Sequence, residues 1–155
     1  MAMTAAAGLL ALTGTVAAAG TAQADDVHSG DGWPRISLGE GGSLYRGQHL
    51  DTGYTTLILQ TDGNLVVYRT DRNPSEVKFA QGLGCGYRAT MQSDGNFVLY
   101  GSDNRICWAS NTFKSSAFQQ ATLVVYGRGG MAVSFTGGFE SSQTGWNTIQ
   151  STDPY

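Results

Sequence analysis

Charge is scarce in this chain. Asp, Glu, Lys and Arg make up 14% of its 155 residues, and the formal net charge is −3. With 9 Lys and Arg and no basic run, the chain has no electrostatic footprint for nucleic acid or an anionic membrane, and that class of partner is excluded. A sustained apolar period of 3.6 is missing too, and Gly, present 22 times, recurs too often for long helices. The two histidines, His28 and His49, lie near no nucleophile motif, and no G-x-S-x-G elbow occurs. Two cysteines, Cys85 and Cys107, match no zinc or redox spacing, so neither a metal nor a cofactor is expected. What remains is rich in Gly, Thr, Val and Tyr, the composition of a turn-rich all-β domain, and with no nucleophile motif no enzyme is expected.

The two ends differ from the middle. Residues 1–24 carry no charge, are rich in Ala, Leu and Thr, and finish Ala22-Gln23-Ala24 before Asp25-Asp26. An apolar stretch closed by a small-x-small triplet predicts a secretory signal peptide, with Asp25 as the mature N-terminus and an extracellular destination. No Lys or Arg precedes the apolar run, so the basic start of such a leader is expected upstream or trimmed. An uncleaved anchor is the rival reading, but Ala, Gly and Thr make a weakly hydrophobic span. No membrane insertion of the mature protein is expected. In an exported domain an even cysteine count favours one disulfide, Cys85 to Cys107, and closing a loop of that size stabilises by about 3 kcal/mol. Residues 25–32 read as a flexible polar segment, 33–138 as the folded domain, and 139–155 as an edge strand, an exchanged arm or a tail.

Inside the folded domain a single stretch occurs twice. Gln60-Thr61-Asp62-Gly63-Asn64-Leu65-Val66-Val67-Tyr68 returns as Gln92-Ser93-Asp94-Gly95-Asn96-Phe97-Val98-Leu99-Tyr100, 32 residues later. Both copies read Q-x-D-G-N-x-V-x-Y, the mark of one supersecondary unit duplicated. Apolar runs on either side of Asp62-Gly63 and Asp94-Gly95 predict β-hairpins. A third, decayed unit is expected where Val125-Tyr126 aligns with Val67-Tyr68, which puts Phe118, Gln120 and Thr122 in place of Gln, Asp and Asn. On that alignment Phe79, Trp108 and Met131 become equivalent large residues of a shared core. Trp33, Trp108 and Trp146 are expected to pack more than to stack on a ligand. Three units that cannot bury their faces alone suit three antiparallel sheets around a pseudo-threefold axis.

If each motif is a hairpin, Asn64, Val66 and Tyr68 share the outer face while Leu65 and Val67 point to the core. Asp62 sits at the turn and Gln60 ends the incoming strand. Such a patch offers a carboxylate acceptor, two amides, a phenol and a small aliphatic floor. Sugar hydroxyls both donate and accept, and an amide with a carboxylate can clamp a vicinal pair. Gly63 is expected to leave room for the ligand and to permit the turn.

The motif closely resembles the mannose-binding signature of the bulb-type (monocot, snowdrop-agglutinin-like) lectins, Q-x-D-x-N-x-V-x-Y. Leu44-Tyr45-Arg46-Gly47-Gln48-His49-Leu50 and Trp108-Ala109-Ser110-Asn111-Thr112 are similar to that family as well. The resemblance implies a β-prism II fold and metal-independent binding of mannose or mannose-containing glycans. By it, Asp62 and Asn64 would bond the mannose 2-hydroxyl, Gln60 the 3-hydroxyl and Tyr68 the 4-hydroxyl, with Val66 in apolar contact. Gln92, Asp94, Asn96, Val98 and Tyr100 would repeat those roles, and the third site would be degenerate. The family pattern places a cysteine where this chain has Gly63, so a bridge from Cys85 would instead staple the second unit. Family members also dimerise by exchanging C-terminal strands, which leaves a homodimer open here. The alternative function is a lectin-like bacteriocin that uses sugar binding to reach a competitor's envelope; growth inhibition of related strains would separate the two.

Overall fold

The computed structural model describes residues 32–137 and the backbone of residues 143–147. The leader read over 1–24, its cleavage point at Asp25, His28 and the end of the tail beyond 147 lie outside the described residues. Three short strands open the fold: β1 (Arg35–Gly39), β2 (Ser43–Tyr45) and β3 (His49–Asp51). Each joins a different sheet. β3 is continued by β4 (Thr55–Leu59), β5 (Leu65–Arg69) and β6 (Glu76–Gln81). β2 pairs with β7 (Arg88–Met91), followed by β8 (Phe97–Tyr100) and β9 (Ile106–Ala109). β1 pairs with β10 (Gln120–Tyr126), followed by β11 (Gly130–Thr136) and β12 (Gln143–Asn147). The result is three four-stranded antiparallel sheets with one strand order, the β-prism II arrangement, and no helix among the described residues.

The strands form because apolar residues alternate at a period of two, and each sheet turns one face to a common centre. Register makes the threefold relation explicit. Leu50 opposes Leu57, Leu44 opposes Ala89 and Leu38 opposes Leu123, one such pair per sheet, all six buried. Leu65 and Phe97 open the third strand of their sheets and Met131 is the second residue of β11, and all three are inaccessible to solvent. Each sheet also carries one irregularity at the same place, after Val67, Leu99 and Val133.

Register corrects the third unit. Leu123-Val124-Val125-Tyr126 belongs to β10, the incoming strand, and the third hairpin is β10 to β11 with its turn at Gly127-Arg128-Gly129. The residues matching Gln60, Asp62, Asn64, Val66 and Tyr68 are therefore Tyr126, Arg128, Gly130, Ala132 and Ser134, not Phe118, Gln120 and Thr122. Met131 correspondingly equals Leu65 and Phe97. The true partners of Phe79 and Trp108 are set by their cross-strand neighbours: Phe79 opposes Val67, Trp108 opposes Leu99, and Trp146 opposes Val133. Phe79 and Trp108 do meet, edge to face at 5.4 Å. Trp146 thus belongs to the fourth strand of the third sheet, which continues within this same chain beyond residue 138. A run such as Leu-Val-Val-Tyr fits either strand of a hairpin, because alternation sets the face a side chain takes and not the strand it pairs with.

Candidate functional site

Both complete motifs fold as the same tight hairpin. The Gln60 amide donates to the Asn64 carbonyl at 2.8 Å and Gly63 to the Gln60 carbonyl at 2.9 Å; Gln92, Asn96 and Gly95 repeat the pair at 2.9 and 3.1 Å. In each turn the aspartate accepts the amide two residues on: Asn64 N–H to Asp62 Oδ1 at 3.0 Å, Asn96 N–H to Asp94 Oδ1 at 2.9 Å. This Asx turn fixes the carboxylate at the hairpin tip, where both aspartates are exposed. Across the hairpin the glutamine amide donates to the tyrosine hydroxyl, Gln60 Nε2 to Tyr68 Oη at 2.9 Å and Gln92 Nε2 to Tyr100 Oη at 2.6 Å. With its lone pair so occupied, each phenol is oriented to donate outward, and the glutamine carbonyl remains an acceptor.

The asparagines work in two directions. Asn64 Oδ1 accepts the Gly84 amide at 2.7 Å, and its Nδ2 donates to Asp62 Oδ2 at 2.9 Å. Asn96 Oδ1 accepts from Ser110 Oγ at 3.1 Å and from the Asn111 amide at 3.0 Å. In both hairpins the carbonyl end ties down the loop leading to the next sheet, and the NH2 end keeps a hydrogen for a ligand, Asn64 giving its other one to Asp62. The first site is the more open, since Asn64 is half-buried and Asn96 only 8% exposed. Val66 and Val98 do lie on the outer face, yet they keep just 4% and 1% exposure. They form the packed floor beneath the polar groups and offer a ligand little area of their own.

Gly63 has a different task from the one expected. Its φ of +90° fits the turn, but a Cβ there would lie 2.5 Å from the Gly84 carbonyl and 2.7 Å from that of Gly86. The space is filled by protein, not kept for a ligand. Loop 82–86 covers it, held by the Gly86 amide on Gly63 O at 2.9 Å and by Arg46, whose Nε donates to Gly86 O at 2.6 Å. Cys85, in the same loop, is bonded to Cys107 on β9, as expected. The disulfide therefore joins the loop behind the first site to the sheet carrying the second. Sequence reasoning missed these supports (Arg46, Gly84, Ser110 and Thr112). Two of them carried a signal: Ser110 and Thr112 are polar residues in an apolar-flanked stretch, and both are buried, with Thr112 Oγ1 donating to Gly95 O at 2.6 Å.

The third hairpin keeps the turn, with Gly129 donating to Tyr126 O at 3.1 Å and φ +99°. Its chemistry is another. Arg128 stands at the aspartate position, and Arg35 stacks over Tyr126 at 4.8 Å. Asp62 and Asp94 sit in turns of different sheets, so they form no carboxylate pair. Among the described residues no three His, Cys, Asp or Glu side chains gather to hold a metal.

Three β-sheets closed into a prism, with polar outward patches on hairpin tips, define a carbohydrate-binding class rather than a catalytic one. No family model matches the chain. It is 44% identical over 69 residues to a mannose-specific lectin of Aloe arborescens, a match covering 44% of this chain and 62% of that protein. A monomeric monocot mannose-binding lectin of Gastrodia elata superposes with a TM-score of 0.59 at 30% identity, over 72% of this chain and 94% of that one. The snowdrop (Galanthus nivalis) mannose-specific agglutinin, solved with methyl-α-D-mannoside, gives a TM-score of 0.54 at 27% identity, over 77% of this chain and 98% of that one. The chain belongs to the bulb-type, monocot mannose-binding lectin family. Its relatives are lectins, which bind carbohydrate without transforming it.

Proposed function

We propose that the protein is a non-enzymatic, metal-independent lectin that binds mannose or mannose-containing glycans at two sites. The first consists of Gln60, Asp62, Asn64, Val66 and Tyr68, the second of Gln92, Asp94, Asn96, Val98 and Tyr100. The observation that carries this reading is the shared hydrogen-bond pattern, in which each glutamine amide bonds the tyrosine hydroxyl across the hairpin. That pattern leaves two acceptors (Asp and Gln oxygens) beside two donors (Tyr O–H and Asn N–H), the complement of hydroxyls that both give and take protons. The leader read over residues 1–24 would export it. Single sugars at such open polar sites bind near millimolar, about −4 kcal/mol, so avidity would come from using both sites at once.

Titration with methyl mannoside tests the reading. Binding at two sites per chain that survives a chelator is expected. Gln60→Ala together with Gln92→Ala should abolish it with little loss of stability, because these side chains bond only the tyrosines. If that double variant binds as well as the parent, the site assignment is wrong.

A further inference from the structure

One arginine stands against the second site without belonging to its motif. Ala89 and Met91 of β7 are buried in the core, so Arg88, Thr90 and Gln92 share the outer face with Asn96, Val98 and Tyr100. Register sets Arg88 directly opposite Tyr100, and its guanidinium carbon lies 5.0 Å from the centre of the Tyr100 ring. The same ring carries the hydroxyl that accepts from Gln92 Nε2 at 2.6 Å. The guanidinium is therefore no further from that ligand-facing hydroxyl than 5.0 Å plus the ring's own reach, a span that one substituted sugar bridges.

This arginine is half-buried and lacks a counter-charge. Arg69 pairs with Asp71, Arg105 with Asp103, Lys78 with Glu76 and Lys114 with Glu40. Among the described residues the Arg88 side chain forms no salt bridge and no hydrogen bond. Stacking on Tyr100 occupies the flat face of the guanidinium and leaves the N–H groups at its edge. That edge is the fork that takes a carboxylate or phosphate by two parallel hydrogen bonds.

The first site is built differently at the same point. Thr56 stands opposite Tyr68, and the exposed Asp51 stands opposite Thr56. Arg46, behind the first turn, already spends its Nε on Gly86 O and its Nη2 on Gly84 O. The two sites match at the hairpin tip and differ in the sign of the charge beside the tyrosine. In the second, Asp94 at the tip and Arg88 at the tyrosine give one patch a negative and a positive end. A sugar with hydroxyls for the tip and one anionic group for the far end complements it.

We propose that Arg88 makes the second site selective for a mannose-type sugar bearing an anionic substituent, a carboxylate or a phosphate, while the first site takes the neutral sugar. The inference rests on the proposed second site and assigns its specificity to a residue outside the Q-x-D-G-N-x-V-x-Y motif.

The test uses the full chain carrying Gln60→Ala, so that only the second site reports. Its affinity is measured for methyl mannoside, for the corresponding mannuronoside and for the 6-phosphate, which separates carboxylate from phosphate. At least one anionic sugar should bind about fivefold tighter than methyl mannoside, as expected for one charge-assisted contact, and the advantage should shrink as salt is raised. Arg88→Gln should bring that ratio to one or below, and Arg88→Lys, which keeps the charge but not the fork, should retain part of it. No anionic sugar exceeding methyl mannoside, or a ratio unchanged in Arg88→Gln, overturns the selectivity, reduces Arg88 to a cover for Tyr100 and leaves the second site standing. Failure of methyl mannoside itself to bind the Gln60→Ala chain overturns the second-site reading, and the selectivity falls with it.

Discussion

Two glycines with nearly the same backbone angle should respond very differently to an added methyl. Gly63 has φ +90° and Gly53 φ +85°, so both substitutions to Ala carry the left-handed penalty of about 1 kcal/mol. Nothing lies within 4 Å of a Cβ at Gly53, whereas at Gly63 it would meet two backbone carbonyls at 2.5 and 2.7 Å. Gly53→Ala is therefore expected to cost about 1 kcal/mol in chemical denaturation, and Gly63→Ala more than about 2 kcal/mol together with first-site binding, since the loop behind Asn64 must shift. Asn96 makes a second residue-scale contrast. Gln92→Ala and Asn96→Ala should both silence the second site, but only Asn96→Ala removes the acceptor of the buried Ser110 hydroxyl and of the part-buried Asn111 amide, at about 1–3 kcal/mol. Equal stabilities for the two variants would contradict that dual role. The polar residues of the two proposed sites were legible in the sequence because the motif occurs twice. Their supports were not, because the Gly84 amide comes from 20 residues away and Ser110 from 14, with nothing in the motif to announce them.

At the scale of elements, loop 82–86 couples the disulfide to the first site. Replacing Cys85 and Cys107 with Ser should lower stability by about 3 kcal/mol. It should also weaken methyl mannoside binding in a Gln92→Ala background more than in a Gln60→Ala background, since Asn64 leans on that loop and Asn96 does not. The second element of this kind is the start of β10. Glu40 Oε1 accepts from Lys114 Nζ at 2.8 Å and from the Ala121 amide at 2.7 Å. Burial raises the Glu40 carboxyl, but these two hydrogen bonds and the Lys114 charge outweigh it and hold the group below its usual value. A lowered folded-state value means stability present above the ordinary carboxylate range and lost as pH falls through the folded value. Glu40→Gln should accordingly flatten some of the acid limb of a stability-against-pH curve and leave the neutral region nearly parallel. An acid limb identical to the parent's would sink the assignment.

Across the whole molecule, the three hairpins pack in a ring. The first turn lies on the loop before β7, the second on Lys114 and Phe135, and the third on Lys78 and Arg69 of the first sheet. Every sheet supports its neighbour's turn, so the third hairpin is retained for the prism even though Arg128 stands where the others have aspartate. Ser134→Ala, at the tyrosine position of that hairpin, should leave the two-site mannoside titration unchanged.

The sequence by itself determined the class of fold, the two motif hairpins and the outward polar set on each. Alternation fixes which face a strand residue takes, and a repeated Asp-Gly fixes where the chain reverses. It also pointed to the disulfide, from cysteine parity. Only the tertiary structure decided which strand of the third unit Tyr126 ends, that Trp146 stands opposite Val133, and what Gly63 makes room for. Those answers depend on pairing between strands and on contacts across sheets, and a period of two contains no information about which neighbour a strand will find.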